Sequence, residues 1–297
     1  MHRSGFVAVV GRPNVGKSTL VNALVGHKIS IVTSKPHTTR HAILGILTTA
    51  DAQIVFIDTP GMDGGTGRLL NRAMNKAATA ALDSADLVVL VVEAGVWKAK
   101  DQQALDQLRA SGLPGVLVVN KIDRVRPKDR LLPILAEHGE RHDFSAIVPV
   151  SALKRDNLSP LLDQVLSQLP EQEAFYDAGT ITNRDLAFKA AETLREKLMH
   201  ALREEVPYGL GVEIVALTDE DDGRLVIDAT IWVDRESHKA IVIGKRGQQL
   251  KEVGMAARGD LQRALDRRVH LQSHVKVKKN WSDNAQSLRE LGYDGEL

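Results

Sequence analysis

An apolar run at 6–10, Phe-Val-Ala-Val-Val, breaks into Gly11, Arg12, Pro13, Asn14, Val15, Gly16, Lys17 and Ser18, and a helix-like stretch follows from 18 to 24. The pattern G-x-x-x-x-G-K-[ST] between a strand and a helix admits few folds. Its glycines let the backbone curl so that successive N–H groups point inward at phosphate oxygens. The helix adds the positive end of its dipole. Lys17 is placed to reach the β- and γ-phosphates of a nucleoside triphosphate, and the Ser18 hydroxyl to help hold Mg²⁺. By itself the loop does not choose the base.

The rest of the N-terminal half agrees with that start. Strands are expected at 6–10, 43–47, 53–57, 86–92, 115–119 and 146–150, with helices at 17–25, 69–82, 101–110, 130–138 and 158–168 between them. Several strands are unbroken Val/Ile/Leu runs, as expected when both faces of a parallel sheet are covered. The alternation predicts a doubly wound, mostly parallel α/β domain over residues 1–170. A linker is expected at 171–184, a second α+β domain at 185–280 and a tail at 281–297. At 297 residues the chain has room for two domains. It has no cysteine, which excludes disulfides and thiolate metal sites. The N-terminal residues lead straight into the first strand, so a signal peptide is not expected and the default location is the cytoplasm.

Three more segments fall at strand ends. Asp58, Thr59, Pro60 and Gly61 follow the third strand. Asp58 can hold the Mg²⁺ shell and the Gly61 N–H can meet the γ-phosphate, so hydrolysis would release this loop. Glycines 64, 65 and 67 suit a moving segment. Asn120, Lys121, Ile122 and Asp123 follow the fifth strand. The Asp123 carboxylate can accept from N1–H and the 2-amino group of guanine, and adenine offers neither. Asn120 would brace the loop and the Lys121 stem would cover the base. Ser151 and Ala152 end the sixth strand, where a backbone N–H can contact the guanine oxygen. Thr38 and Thr39 lie before the second strand, and either can close over Mg²⁺; Thr39 is favoured. Together they predict a GTP/GDP site with Lys17, Thr39, Asp58 and Gly61 at the hydrolytic centre and Ser18, Thr39 and Asp58 on the metal.

The segments GRPNVGKS, TTR, DTPG, NKID and SAL resemble the G-boxes of translation-factor-class GTPases. Residues 35–41, Lys-Pro-His-Thr-Thr-Arg-His, and 69–76, Leu-Leu-Asn-Arg-Ala-Met-Asn-Lys, are similar to the Era branch. Met62 stands where Ras-like enzymes carry the glutamine that orients the attacking water. A thioether cannot do that, so unaided hydrolysis is expected to be slow, on the order of 10⁻³ s⁻¹ by analogy with unassisted GTPases. In related GTPases an asparagine at the place of Asn14 helps bind K⁺; a loop-capping role fits it equally.

The second half carries another glycine loop. Ile241, Val242 and Ile243 run into Gly244, Lys245, Arg246 and Gly247, and a further helix begins near 248. G-x-x-G between helices is what KH domains use to clamp single-stranded nucleic acid. The order helix–strand–strand–helix–GxxG–helix–strand is that of a type II KH domain. Lys245, Arg246 and Lys251 can meet phosphates, the three apolar residues can floor the bases, and Lys276, Lys278 and Lys279 close the last strand. From 235 to 280 there are twelve Lys/Arg against four Asp/Glu, in a chain whose net charge is +1. Trp232, alternating with apolar neighbours, reads as core, and Trp281 fits either core or base stacking.

An Era-type G domain followed by a type II KH domain is the Era family arrangement. That resemblance implies slow GTP hydrolysis, binding near the 3′ end of 16S rRNA, and a role in rRNA processing and 30S subunit biogenesis. It also implies a monomer with peripheral inner-membrane association. A tRNA-modification GTPase of the MnmE branch is a second reading, although those proteins carry a C-terminal cysteine motif. A third is an RNA-binding assembly factor that holds nucleotide and barely hydrolyses it.

Overall fold

The computed structural model describes residues 2–61 and 69–293. Among the described residues the chain divides into a unit over 2–61 and 71–183 and a second over 184–293 that also takes in 69–70, the first turn of a helix otherwise belonging to the first.

In the first unit β1 (Arg3–Val10), β3 (Ala52–Asp58), β4 (Leu87–Glu93), β5 (Gly115–Asn120) and β6 (Ala146–Pro149) run parallel, with β2 (Ile43–Thr48) antiparallel to β3. The sheet order is β2-β3-β1-β4-β5-β6. The helices are α1 (Lys17–Val25), α2 (Leu69–Asp83), α3 (Ala99–Ser111), α4 (Leu131–Gly139) and α5 (Leu158–Gln168). β4 is buried from Leu87 through Val92, and the sheet face it shares with β3 is covered by α2 and α3. Val88, Leu90 and Val92 pack with Leu105 and Leu108 of α3, while Ile57 and Val55 of β3 pack with Ala77 and Ala81 of α2. Each fully buried Val, Leu or Ile contributes about 1.5–3 kcal/mol of transfer free energy. The chain leaves β1 towards β2 and β3 on one side and returns through α2 to β4 on the other. The crevice at the carboxyl end of β1 is therefore the switch point where such sheets bind ligands.

Most of the stretch expected to link the domains packs on this first unit. The Gln53 side chain accepts from Phe175 N (2.8 Å) and Tyr176 N (3.0 Å) and donates to Tyr176 O (2.8 Å). Ile46 N donates to Ile181 O at 2.9 Å.

The second unit comprises α6 (Leu186–Ala201), β7 (Leu210–Asp219), β8 (Leu225–Val233), α7 (Glu236–Ile243), α8 (Gln248–Leu265), β9 (Val269–Val277) and α9 (Ala285–Glu290). Asp185 caps α6 by accepting from Phe188 N at 2.8 Å. β7 pairs antiparallel with β8, and β8 parallel with β9. One sheet face meets Leu194 and Leu198 of α6, Val242 of α7 and Val253 and Ala257 of α8. Residues 281–293, expected as a tail, complete this unit. Trp281 is fully buried and its Nε1 donates to Gly209 O at 3.0 Å, which settles it as core.

Candidate nucleotide and nucleic-acid sites

The loop after β1 is shaped by its two glycines. Gly11 (φ 146°) and Gly16 (φ 103°) occupy backbone regions that side chains avoid. A Cβ on Gly11 would lie 2.3 Å from Val91 O, and one on Gly16 would lie 2.4 Å from Asn120 Nδ2. Lys17 opens α1 and is buried; its Nζ donates to Gly11 O (2.8 Å) and Arg12 O (3.2 Å). Burial lowers its pKa from 10.5 to about 8, against the pull of the Asp58 charge and with a small push from Arg12.

Ser18 Oγ lies 2.8 Å from Thr39 Oγ1. Thr38 turns elsewhere: its hydroxyl donates to Lys35 O (2.6 Å) and meets Thr33 Oγ1 (2.6 Å). Asp58, at the end of β3, is fully buried, and neither carboxylate oxygen has a hydrogen-bond partner among the described residues. Burial raises its pKa, opposed by the nearby Ser18 and Ser30 hydroxyls and the Lys17 charge. A buried carboxylate with two orphaned oxygens beside two hydroxyls fits a hard divalent cation such as Mg²⁺. Thr59 Oγ1 donates to Val9 O (2.7 Å), Pro60 is buried, and Gly61 packs so closely that a Cβ would meet Pro13 at 2.8 Å. Met62 and glycines 64, 65 and 67 lie outside the described residues.

The second half of the crevice is built on β5 and β6. Asn120 is buried; its Nδ2 donates to Val15 O (2.8 Å), and its Oδ1 accepts from Lys121 N (2.8 Å) and Ala152 N (3.0 Å). That single side chain ties three loops together. Lys121 has φ 65° and its Nζ donates to Asn14 O at 2.6 Å. Asp123 Oδ1 accepts from Ser151 Oγ at 2.6 Å, and that bond, against partial desolvation, holds its carboxyl below the usual range. Asn14, Gly16, Lys121, Asp123, Ala152 and Leu153 line a cleft of about 360 Å³. Val15 and Ile122 turn their side chains into the core and shape their loops from behind. Asn14 Nδ2 donates to Ser34 O at 2.9 Å.

In the second unit α7 ends at Ile243 and α8 begins at Gln248, with Gly244 (φ 72°), Arg246 (φ 54°) and Gly247 (φ 77°) turning the chain between them. Lys245, Arg246 and Lys251 are exposed, and Ile241 is 47% exposed. Val242 is fully buried in the core and Ile243 packs against it, so of the three apolar residues expected to meet bases only Ile241 stands free to do so. Lys276 and Lys278 place their Nζ atoms 5.8 and 5.4 Å from the Trp232 ring, and Lys278 pairs with Glu290 at 2.7 Å; Lys279 is exposed. Trp232 is half-buried, with Nε1 donating to Glu213 Oε2 at 2.8 Å. It belongs to the sheet face opposite the helices, because Ile231 and Val233 point inward.

Residues 6–121 match the family described as "50S ribosome-binding GTPase", and residues 205–282 match the KH domain. The chain is 50% identical over 293 residues to GTPase Era of Xanthomonas axonopodis pv. citri (strain 306), covering 99% of this chain and 98% of that one. It belongs to the Era family of GTPases. GTPase Era of Stenotrophomonas maltophilia (strain K279a) is 49% identical over the same share of each chain. Two solved Era structures are similar at TM-score 0.95 and 40% identity. One is Era in complex with MgGDPNP and nucleotides 1506–1542 of 16S ribosomal RNA, covering 99% of each chain. The other is a variant of Aquifex aeolicus Era bound to GDP·AlF₄⁻, covering 98% of this chain and 99% of that one. The fold is accordingly a G domain followed by a KH domain, and the enzyme hydrolyses GTP. The Era motifs span both loops of the crevice; they leave out Glu93 at the end of β4, which pairs with Arg12 and Lys121. Its one signal is a charge closing an apolar strand at the ligand-binding end of the sheet.

Proposed function

We propose that the chain is a guanine-nucleotide switch whose KH unit grips the 3′ region of 16S ribosomal RNA, with slow GTP hydrolysis timing its release during 30S subunit biogenesis. The observation that carries this reading is the solved Era relative, similar over 99% of both chains, that holds MgGDPNP and nucleotides 1506–1542 of 16S ribosomal RNA together.

In this reading the backbone N–H groups of residues 11–18 wrap the phosphates, and Lys17 trades its carbonyl partners for β- and γ-phosphate oxygens. Ser18, Thr39 and Asp58 would hold Mg²⁺, which neutralises phosphate charge when bound. Gly61 would present its N–H to the γ-phosphate. Asp123 would read guanine N1–H and the 2-amino group, Asn120 keeps the loops in register, and the Ala152 N–H, which donates to Asn120 Oδ1, would share its proton with the guanine oxygen. In hydrolysis a water oxygen bonds to the γ-phosphorus while the bond to the β–γ bridging oxygen breaks, GDP leaves with that electron pair, and the water's protons pass to the released phosphate and to solvent. A thioether at Met62 accepts no proton, so the chain's residues act through position and charge. Asn14, at the rim of the phosphate loop, would adjoin K⁺; equal hydrolysis rates in K⁺ and Na⁺ would remove the ion from the scheme. A cytoplasmic monomer with peripheral inner-membrane contact rests on the family resemblance alone.

On the RNA side the turn 244–247 would admit a sugar-phosphate backbone, with Lys245, Arg246 and Lys251 as its charges and Ile241 as an apolar contact. Crosslinking of the full chain to cellular RNA tests this. The wild type should recover the 16S 3′ end, and Gly244→Asp, as well as Lys245→Ala/Arg246→Ala with the glycines intact, should lose it. Recovery of tRNA instead would favour the modification reading.

A further inference from the structure

Glu93 is the last residue of β4 and lies in register with Asn120 on β5; Ala94 N donates to Asn120 O at 2.8 Å, so the sheet fixes where its carboxylate sits. Oε2 accepts from Arg12 Nη2 at 3.0 Å and stands 3.1 Å from Lys121 Nζ, and Oε1 is 3.7 Å from Arg124 Nη1. Arg12 comes from the phosphate loop, and Lys121 and Arg124 come from the base loop and its continuation. Each side has one more anchor. Arg12 Nε lies 3.1 Å from Asp101, a buried carboxylate at the start of α3 that also accepts from Lys98 N, and Lys121 Nζ donates to Asn14 O in the phosphate loop. Burial alone would raise the Glu93 pKa, but the Lys121 and Arg12 contacts outweigh it and hold the carboxyl below its usual range.

The two loops grip opposite ends of one ligand, phosphates at one end and base at the other. Their cations converge on one half-buried oxygen, where they would repel each other without it. We propose that Glu93 is a positioning residue for nucleotide retention: it clamps the phosphate loop to the base loop through Arg12 and Lys121 and sets the spacing that a guanine nucleotide spans. The clamp touches neither the γ-phosphate nor the site of Thr39, so it serves GDP and GTP alike. This inference rests on the guanine-nucleotide reading of the crevice.

The test is stopped-flow release of mant-GDP and mant-GDPNP from the full chain. Wild-type protein that fails to bind either probe overturns the guanine reading itself. With binding established, Glu93→Gln should speed release of both probes by about tenfold, the scale expected for losing one partner of a partly exposed charge cluster. Glu93→Asp should fall between Gln and wild type. In a double-mutant cycle with Arg12→Gln, the combined acceleration should be smaller than the product of the single ones. Release at the wild-type rate with a lowered melting temperature would make Glu93 a structural residue only and overturn the proposal. So would acceleration confined to mant-GDPNP, or effects that multiply independently.

Discussion

Ser18 Oγ and Thr39 Oγ1 lie 2.8 Å apart although 21 residues separate them in the chain, so the start of α1 and the segment before β2 share one edge of the crevice. Two hydroxyls that close can bind one cation beside Asp58, and only one of them sits on a helix. Thr39→Ala should therefore leave GDP affinity within about twofold while slowing phosphate release about 10²-fold, the scale of losing one preorganised charge-stabilising group. Thr38→Ala should slow it far less, because that hydroxyl serves Lys35 O. Paired phosphate-release and mant-GDP measurements check both, and equal defects in the two variants would contradict the assignment.

Base choice should rest on Asp123. Asp123→Asn keeps the size and loses the acceptor pair, so guanine nucleotides should bind about 10³-fold more weakly while xanthosine diphosphate, with a carbonyl in place of the 2-amino group, gains. Ser151→Ala removes the 2.6 Å bond that orients Asp123 and should cost about tenfold without changing base preference. Competition binding with the two diphosphates separates these outcomes.

Lys17 gives the site a pH signature. In nucleotide-free protein it titrates near 8, and a bound phosphate chain favours its ammonium form. Binding above pH 8 must then take up a proton. GDP affinity should be flat to about pH 7.5 and then fall, approaching tenfold per pH unit. The stability sign is opposite. The folded pKa lies below the unfolded 10.5, so the buried ammonium costs stability below pH 8 and that cost is relieved between 8 and 10.5. Calorimetry in two buffers of different ionisation enthalpy would show the proton, and a GDP affinity unchanged to pH 9.5 would rule it out.

Trp281→Ala should destabilise the second unit by about 3–5 kcal/mol, since it empties a fully buried site and strands Gly209 O. GDP binding by the first unit should persist. Chemical denaturation followed by tryptophan-independent signals, with mant-GDP binding alongside, checks the pair of outcomes.

The first unit was legible because its chemistry is local. Each G-box is a strand end plus a few residues, and the apolar runs before Gly11, Asp58 and Asn120 mark those ends directly. The second unit was harder because its decisive contacts are parities and long-range closures. On β8 the residues at odd positions from Leu225 to Val233 are buried, so the alternation around Trp232 itself places that ring on the opposite face. Val242 lies in a helix of one apolar run, where neither neighbour says which residue points inward. Glu93 carries no motif; three cations from two segments far apart in the chain reveal it only once the sheet is assembled.

The bond from Trp281 back to Gly209 spans 72 residues and closes the second unit from its far side in sequence. During synthesis the G domain can emerge whole and bind nucleotide while the KH core still lacks its last wedge. The turn at 244–247 would leave the ribosome before the tryptophan that completes its scaffold. A newborn copy thus gains its nucleotide grip before its second unit is complete.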